Sequence, residues 1–225
     1  MLYELRTYQA GGGRMAEMET LMARQCTAVL QRAKVPRPLA AWRAVAGPRL
    51  PAFVWIVGWE SLDQRNAAWA AFGGDGEWQK LRAEAHRDTE LTARVDVQFM
   101  TAWPDPAVAL DLARPDGVDQ LLLLRVHTGQ GGAARQAFLG ADRPALEEAG
   151  GKVVAAFDLL SGEDLPVVAV VVRWPDAGAC ATGMSSYDSN AKVREARVAE
   201  RAKLGFDLFN SSDRYLLVGS PRFGG

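Results

Sequence analysis

Residues 2–13 read LYELRTYQAGGG, and residues 120–132 read QLLLLRVHTGQGG. Each is a β-prone run with an arginine in it that ends in a glycine-rich turn. In the first, Tyr3, Leu5 and Thr7 alternate with Glu4, Arg6 and Tyr8, the period of a strand. The likeness continues downstream of both turns. After Gly11–Gly13, apolar residues recur at Met15, Met18, Met22, Cys26, Val29 and Leu30, which predicts one helix over 14–33, stopped by Pro36 and Pro38. Strands are predicted over 39–46 and 53–59, joined across 47–51 as a hairpin. Ser61 and Gln64 form a capping-box signature that opens a helix through Trp69 and Phe72. Gly73-Gly74 interrupts it, Asp75 re-caps, and helical pattern runs on to Arg87. A strand over 95–101 closes a β-α-β-β-α-β unit, the ferredoxin-like plan.

The second run starts the same order again. It gives a strand over 120–128 and a helix over 133–149 that Pro144 kinks or splits. A hairpin over 152–160 and 165–174, a helix over 190–206 and a strand over 214–220 complete it. Arg6 and Arg125 are 119 residues apart, and Trp59 and Trp174 are 115 apart. On that alignment Tyr8 falls opposite His127. The expected organisation is a first repeat over 1–101, a linker over 102–117 carrying Pro104, Pro106 and Pro115, and a second, divergent repeat over 118–225.

A unit with both helices on one sheet face leaves the other face bare, and a second copy is the obvious cover. The expected fold class is therefore α+β: tandem duplicated ferredoxin-like β-α-β-β-α-β units forming an intrachain α+β barrel. Such a barrel needs no second chain, and a homodimer remains compatible with it. In the second copy, Leu122, Leu124 and Val126 suit the helix-packed side. The alternate set, Leu121, Leu123, Arg125 and His127, is expected to line an inter-sheet cavity, with Leu2, Glu4, Arg6 and Tyr8 as its match in the first copy.

Composition excludes several classes. The 225 residues hold 26 basic and 27 acidic side chains, so no global field draws nucleic acid or an anionic membrane. Apolar residues make up 48%, with seven tryptophans, enough for a packed core. No run reaches the ~18–20 apolar residues that span a bilayer, and the opening MLYELRTYQ is charged where a secretory leader is apolar. A cytoplasmic location is expected. Cys26 and Cys180 stand apart, and there is no dinucleotide, phosphate-loop, nucleophile-elbow or H-E-x-x-H motif. Neither a metal nor another cofactor is expected.

Three stretches carry a resemblance: YELRTY at 3–8, GWESLDQR at 58–65, and Asp75, Glu77 and Trp78 as D-x-E-W. Together they resemble the NIPSNAP family over about residues 1–101. That likeness implies the ferredoxin-like, dimeric α+β-barrel fold. Where family members often carry a histidine in the third strand, Trp55 stands here. The second half keeps the arginine and tryptophan anchors and has lost the other signatures between Pro175 and Asn190. The wider superfamily it is similar to includes cofactor-independent monooxygenases, cyclases, isomerases and heme-degrading enzymes, so membership leaves the reaction open.

Two histidines exist. His127 lies two residues from Arg125 on one strand face, which pairs an acid/base group with a fixed positive charge. These two are the expected catalytic residues, Arg125 holding an enolic or anionic oxygen and His127 moving a proton. Arg6, Glu4, Tyr8, Trp55, Trp59 and Trp42 are the expected substrate contacts, through charge and aromatic stacking. Glu4 neutralises Arg6 from two residues away, whereas Leu123 stands at that place beside Arg125. His86 lies in a polar helical run with no assigned role. Two readings of different class remain: a cofactor-independent enzyme (cyclase, isomerase or monooxygenase-like) on an apolar, aromatic or polyketide-like molecule, or a non-catalytic binding or interaction protein.

Overall fold

Alternating strand and helix signals become alternating strands and helices in the computed structural model, which describes residues 1–22, 26–103, 108–112 and 117–220. The chain divides into two compact units, Met1–Thr101 with Val218–Gly225, and Ala102–Leu217. Pro104, Pro106 and Pro115, which suggested a linker, lie outside the described residues.

The first unit contains β1 (Leu2–Ala10), α1 (Met15–Thr20), α2 (Thr27–Arg32), β2 (Ala40–Ala46), β3 (Ala52–Trp59), α3 (Leu62–Gly74), α4 (Gly76–Ala85) and β4 (Thr92–Ala102). Its strand order is β4-β1-β3-β2, with β1 antiparallel to both β3 and β4. The helix caps form where the sequence signals them. Ser61 Oγ accepts from Gln64 N at 3.1 Å, and Asp75 accepts from Glu77 N and Trp78 N. The single helix expected over 14–33 is instead two. Leu21 and Met22 sit in a wide, π-type turn after α1, and Met18, Met22, Cys26 and Val29 all reach the core, as the spacing predicts.

The second unit contains β5 (Val118–Val126), α5 (Gly131–Ala137), a π-helical segment (Phe138–Asp142), α6 (Arg143–Glu148), β6 (Lys152–Leu159), β7 (Val167–Trp174), α7 (Ala177–Asp188), α8 (Ala191–Leu204) and β8 (Phe209–Gly219). Its strand order, β8-β5-β7-β6, repeats that of the first unit. The chain is thus an α+β protein with a duplicated ferredoxin-like fold. The helix expected over 133–149 is divided, as one of the two alternatives had it, and Pro144 stands in the first turn of its later part, α6. Helix α7 fills the stretch that showed no helical signature, with Asp176 accepting from Ala179 N at 2.8 Å as its cap.

Pairing register corrects the alignment of the two copies. Leu2 opposes Trp59 and Arg6 opposes Trp55, while Val118 opposes Trp174 and Leu122 opposes Val170. Gly13 and Gly129, both with left-handed φ (+77° and +78°), mark the same turn. The match therefore runs at 116 residues through the first strand: Glu4 with Gln120, Arg6 with Leu122, Tyr8 with Leu124. Arg6 does not correspond to Arg125, nor Tyr8 to His127.

Facing is corrected with it. Tyr8 and Leu2 pack on the helix side of the first sheet, with Phe53, Trp55 and Trp59 against Met18, Ala68 and Phe72. The polar residues Glu4 and Arg6 thus point into a helix-covered core, because Trp59, Trp69 and Arg65 supply the partners that make burial tolerable there. In the second unit Leu122 and Leu124 take the helix side, as expected, against Asp142, Tyr187 and Arg197, and Arg125 takes the other; His127 lies past the end of β5.

Candidate functional site

Glu4 is fully buried and accepts five N–H bonds. Trp59 Nε1 donates at 2.8 Å and Trp69 Nε1 at 3.3 Å. Arg65 donates from Nε at 3.2 Å and Nη2 at 3.1 Å, and Arg6 adds Nη1. Arg6 also donates from Nε to the Tyr8 hydroxyl at 3.0 Å and lies 4.4 Å over the Trp69 ring. Burial works against the Glu4 carboxylate, but the Arg65 hydrogen bonds and the Arg6 charge outweigh it and hold the carboxyl below its ordinary range. Burial likewise pushes the Tyr8 phenol up. Glu4, Arg6, Tyr8, Trp55 and Trp59 come together not as the lining of an inter-sheet cavity but as a hydrogen-bonded clamp on the helix side that ties α3 to β1 and β3. Trp42 is 1% exposed and opposes Val54, which puts it on the face away from Trp55.

Arg125 and His127 have separate engagements. Arg125 pairs with Asp213 at 2.8 Å and Asp164 at 3.0 Å, so the expectation that it lacks a carboxylate partner is overturned. The partners came from the β6–β7 turn and β8, distant in sequence. The His127 ring stacks on Phe206 with centroids 3.8 Å apart. His86 ends α4 as its C-terminal cap.

The clamp is dismantled in the second unit. Caps Ser61 and Asp176 place Arg65 opposite Cys180 and Trp69 opposite Met184. Of the clamp, only the tryptophan survives, as Trp174. Leucines stand at the places of Arg6 and Tyr8, and beside those leucines lies a cavity of about 210 Å³. Leu122, Leu124 and Phe209 form its apolar wall; Asp142, Tyr187, Arg197 and Arg214 its polar one; Asn210, Ser211 and Ser212 its remainder.

Asp142 closes the π-helical segment and is 1% exposed. It accepts from the Tyr187 hydroxyl of α7 at 2.6 Å and from Arg197 Nη2 of α8. Glu200 takes the other arm of Arg197 at 2.8 and 2.9 Å, and the guanidinium lies 4.5 Å over Phe209. Arg214 makes a two-pronged bond to Asp188 at 2.7 and 2.8 Å. Burial pushes the Tyr187 phenol well above its ordinary range, and the neighbouring Asp142 charge adds to this, so Tyr187 stays protonated. Burial opposes the Arg197 charge, but Asp142 and Glu200 outweigh it and raise its value.

Such a site can hold a hydroxylated apolar molecule with its oxygen at Tyr187. That hydroxyl donates to Asp142 and retains lone pairs that accept from a ligand. Sequence reasoning missed all of these residues, which lie on four separate elements. The signal available was an acidic residue, Asp142, two places before Pro144 within the helix expected over 133–149. Among the described residues no group of three or more His, Cys, Asp or Glu could hold a metal ion. No helix among them is long and apolar enough to cross a membrane.

The NIPSNAP family model matches residues 3–105, just under half of the chain and most of the first unit. An uncharacterized NIPSNAP domain protein from Burkholderia xenovorans aligns at 17% identity over 46% of this chain and 96% of its own, with a TM-score of 0.40. The likeness extends over the whole chain in two others. A putative monooxygenase from Lactobacillus acidophilus aligns at 7% identity over 97% of this chain and 93% of its own, TM-score 0.56. An anthrone oxidase-like protein aligns at 14% over 100% and 94%, TM-score 0.54. These likenesses establish the duplicated fold across both units. No curated protein matches the chain.

Proposed function

We propose that the protein is a cofactor-independent, monooxygenase-like enzyme that acts on a small aromatic or polyketide-like molecule in the pocket of its second unit. The observation that carries this reading is the Tyr187–Asp142 hydrogen bond at 2.6 Å on the wall of a cavity whose apolar side is Leu122, Leu124 and Phe209. Support in fold comes from the whole-chain likeness to a putative monooxygenase and an anthrone oxidase-like protein. At about 210 Å³ the cavity is smaller than the ~300–1,000 Å³ of drug-sized ligand sites, which restricts the ligand to one or two rings.

Oxygenation without a cofactor needs a substrate that becomes its own reductant once deprotonated. Tyr187 accepts the proton of the substrate hydroxyl as it passes its own to Asp142. From an ordinary phenol to an ordinary carboxylate that transfer is uphill by about six pK units, ~8 kcal/mol. Turnover near 10 s⁻¹ tolerates a barrier of about 16 kcal/mol, so the step fits beneath it. The carbanion then reacts with dioxygen. A ring CH₂ becomes C=O, one oxygen atom entering the product and the other leaving as water with the two hydrogens. 1-Naphthol, whose keto tautomer carries such a CH₂, would give 1,4-naphthoquinone and water. The test is oxygen uptake with 1-naphthol by the wild-type protein and by Tyr187→Phe. Uptake that Tyr187→Phe leaves at the wild-type rate would refute the role given to this pair.

The non-catalytic reading has one observation in its favour. The residues that mark the NIPSNAP domain, Glu4, Arg6 and Arg65 among them, are consumed in holding the first unit together. Binding of 1-naphthol with no oxygen uptake is the outcome that reading predicts.

A further inference from the structure

The charged groups around the second unit's pocket are closed upon one another, and the neutral ones are not. Arg197 is held between Asp142 and Glu200, and its flat face is taken by Phe209. Both arms of Arg214 end on Asp188. Counting these partners, two guanidinium groups meet three carboxylates, a net charge of about −1 around the cavity. A carboxylate or phosphate entering the pocket would have to displace one of these internal pairs, leaving an uncompensated charge behind. By contrast, the side chains of Asn210 and Ser212 make no hydrogen bond among the described residues, although both line the cavity. Ser211 accepts only a long bond, 3.4 Å, from Arg125.

We infer that this pocket takes an uncharged ligand carrying a hydroxyl or carbonyl group, recognised through Asn210 and Ser212, and excludes anions of the same size. The inference rests on the reading of the pocket as the substrate site and adds to it the charge class. A neutral polar group on the ligand exchanges hydrogen bonds with water for bonds to an amide and a hydroxyl at little net desolvation cost. An anion has no open guanidinium fork to meet it, and three carboxylates repel it. Asp188 is therefore the specificity-determining residue: it acts through Arg214, by occupying its fork.

Two probes of one shape decide the matter, 1-naphthol and 1-naphthoate, with dissociation constants measured calorimetrically at pH 7. Wild type should bind naphthol at least about tenfold more tightly than naphthoate. Asp188→Asn opens the Arg214 fork and should strengthen naphthoate binding by about tenfold, the scale of one charge-assisted bond, while changing naphthol little. Should Asp188→Asn fail to fold, Asn210→Ala combined with Ser212→Ala provides an independent arm and should weaken naphthol binding about tenfold. Leu124→Trp, which fills the cavity, should abolish binding of either probe. Naphthoate binding as tightly as naphthol, with Leu124→Trp abolishing both, overturns the charge class and leaves the site standing. Binding that survives Leu124→Trp, or no binding of either probe to wild type, overturns the site and the inference together.

Discussion

Replacing Glu4 by Gln leaves the side-chain shape intact and removes only the charge and one acceptor. In the clamp, one carboxylate oxygen takes Arg6 and one arm of Arg65, and the other takes Trp59, Trp69 and Arg65 Nε. With the amide nitrogen set toward Arg6, two charge-assisted bonds disappear and an N–H faces two guanidinium groups. Each such bond is worth about 1.5–3 kcal/mol, and breaking a buried ion pair from one side costs about 3–5 kcal/mol, so a loss of about 3–5 kcal/mol is expected. Arg6→Met is milder, about 1.5–3 kcal/mol, because Glu4 keeps Arg65 and both indoles. Urea unfolding followed by tryptophan fluorescence reads both, since Trp59 and Trp69 sit in the clamp. The difference between wild type and Glu4→Gln also depends on pH. The folded Glu4 carboxyl lies below its unfolded value, so its contribution is complete above the unfolded value of about 4.3 and disappears as pH falls through the lower folded one. A Glu4→Gln protein within about 1 kcal/mol of wild type at pH 7, or one more stable than Arg6→Met, would refute the clamp.

Comparison of the two units yields two further outcomes. Among the described residues Gln120 Oε1 and Trp174 Nε1 are buried without partners where Glu4 and Trp59 bond, yet Gln120→Glu should destabilise by about 3–5 kcal/mol in the same assay. Leu122, Cys180 and Met184 stand where arginines and an indole would have to meet the new charge, and a neutral or stabilising result would show that a cation reaches it. His127→Gln should lower stability by about 0.5–1.5 kcal/mol in thermal unfolding, through loss of the ring stack on Phe206. An unchanged midpoint would mean that the stack contributes nothing.

The β-α-β-β-α-β plan was legible because strands and helices write their periods directly into the chain, and because Ser61 and Asp75 cap helices by local hydrogen bonds. Helix α7 was not, since ACATGMSSY carries small and apolar residues on every side and no 3.6-residue stripe. The facing of β1 was lost for a different reason. Arginine is an unreliable anchor: Arg6 is buried against a carboxylate, and Arg125 is paired with Asp164 and Asp213 on the opposite face. The glycines Gly13 and Gly129, held by a left-handed turn that few other residues adopt, agree with Trp59 and Trp174 to within one residue and fix the phase. The candidate site itself was invisible. Asp142, Tyr187, Arg197 and Arg214 meet only through tertiary packing, and the cavity exists because leucines replaced Arg6 and Tyr8 of the other copy.

The proposed proton transfer through Tyr187 to Asp142 in the second unit's pocket is tested most directly by oxygen uptake in Tyr187→Phe. The substitution removes one hydroxyl, and the apolar wall of Leu122, Leu124 and Phe209 should keep naphthol affinity near the wild-type value. Turnover of 1-naphthol should fall by about 10²–10⁴, with one O₂ consumed per naphthoquinone formed in whatever activity remains. Wild-type uptake retained in Tyr187→Phe would contradict this role for the pair.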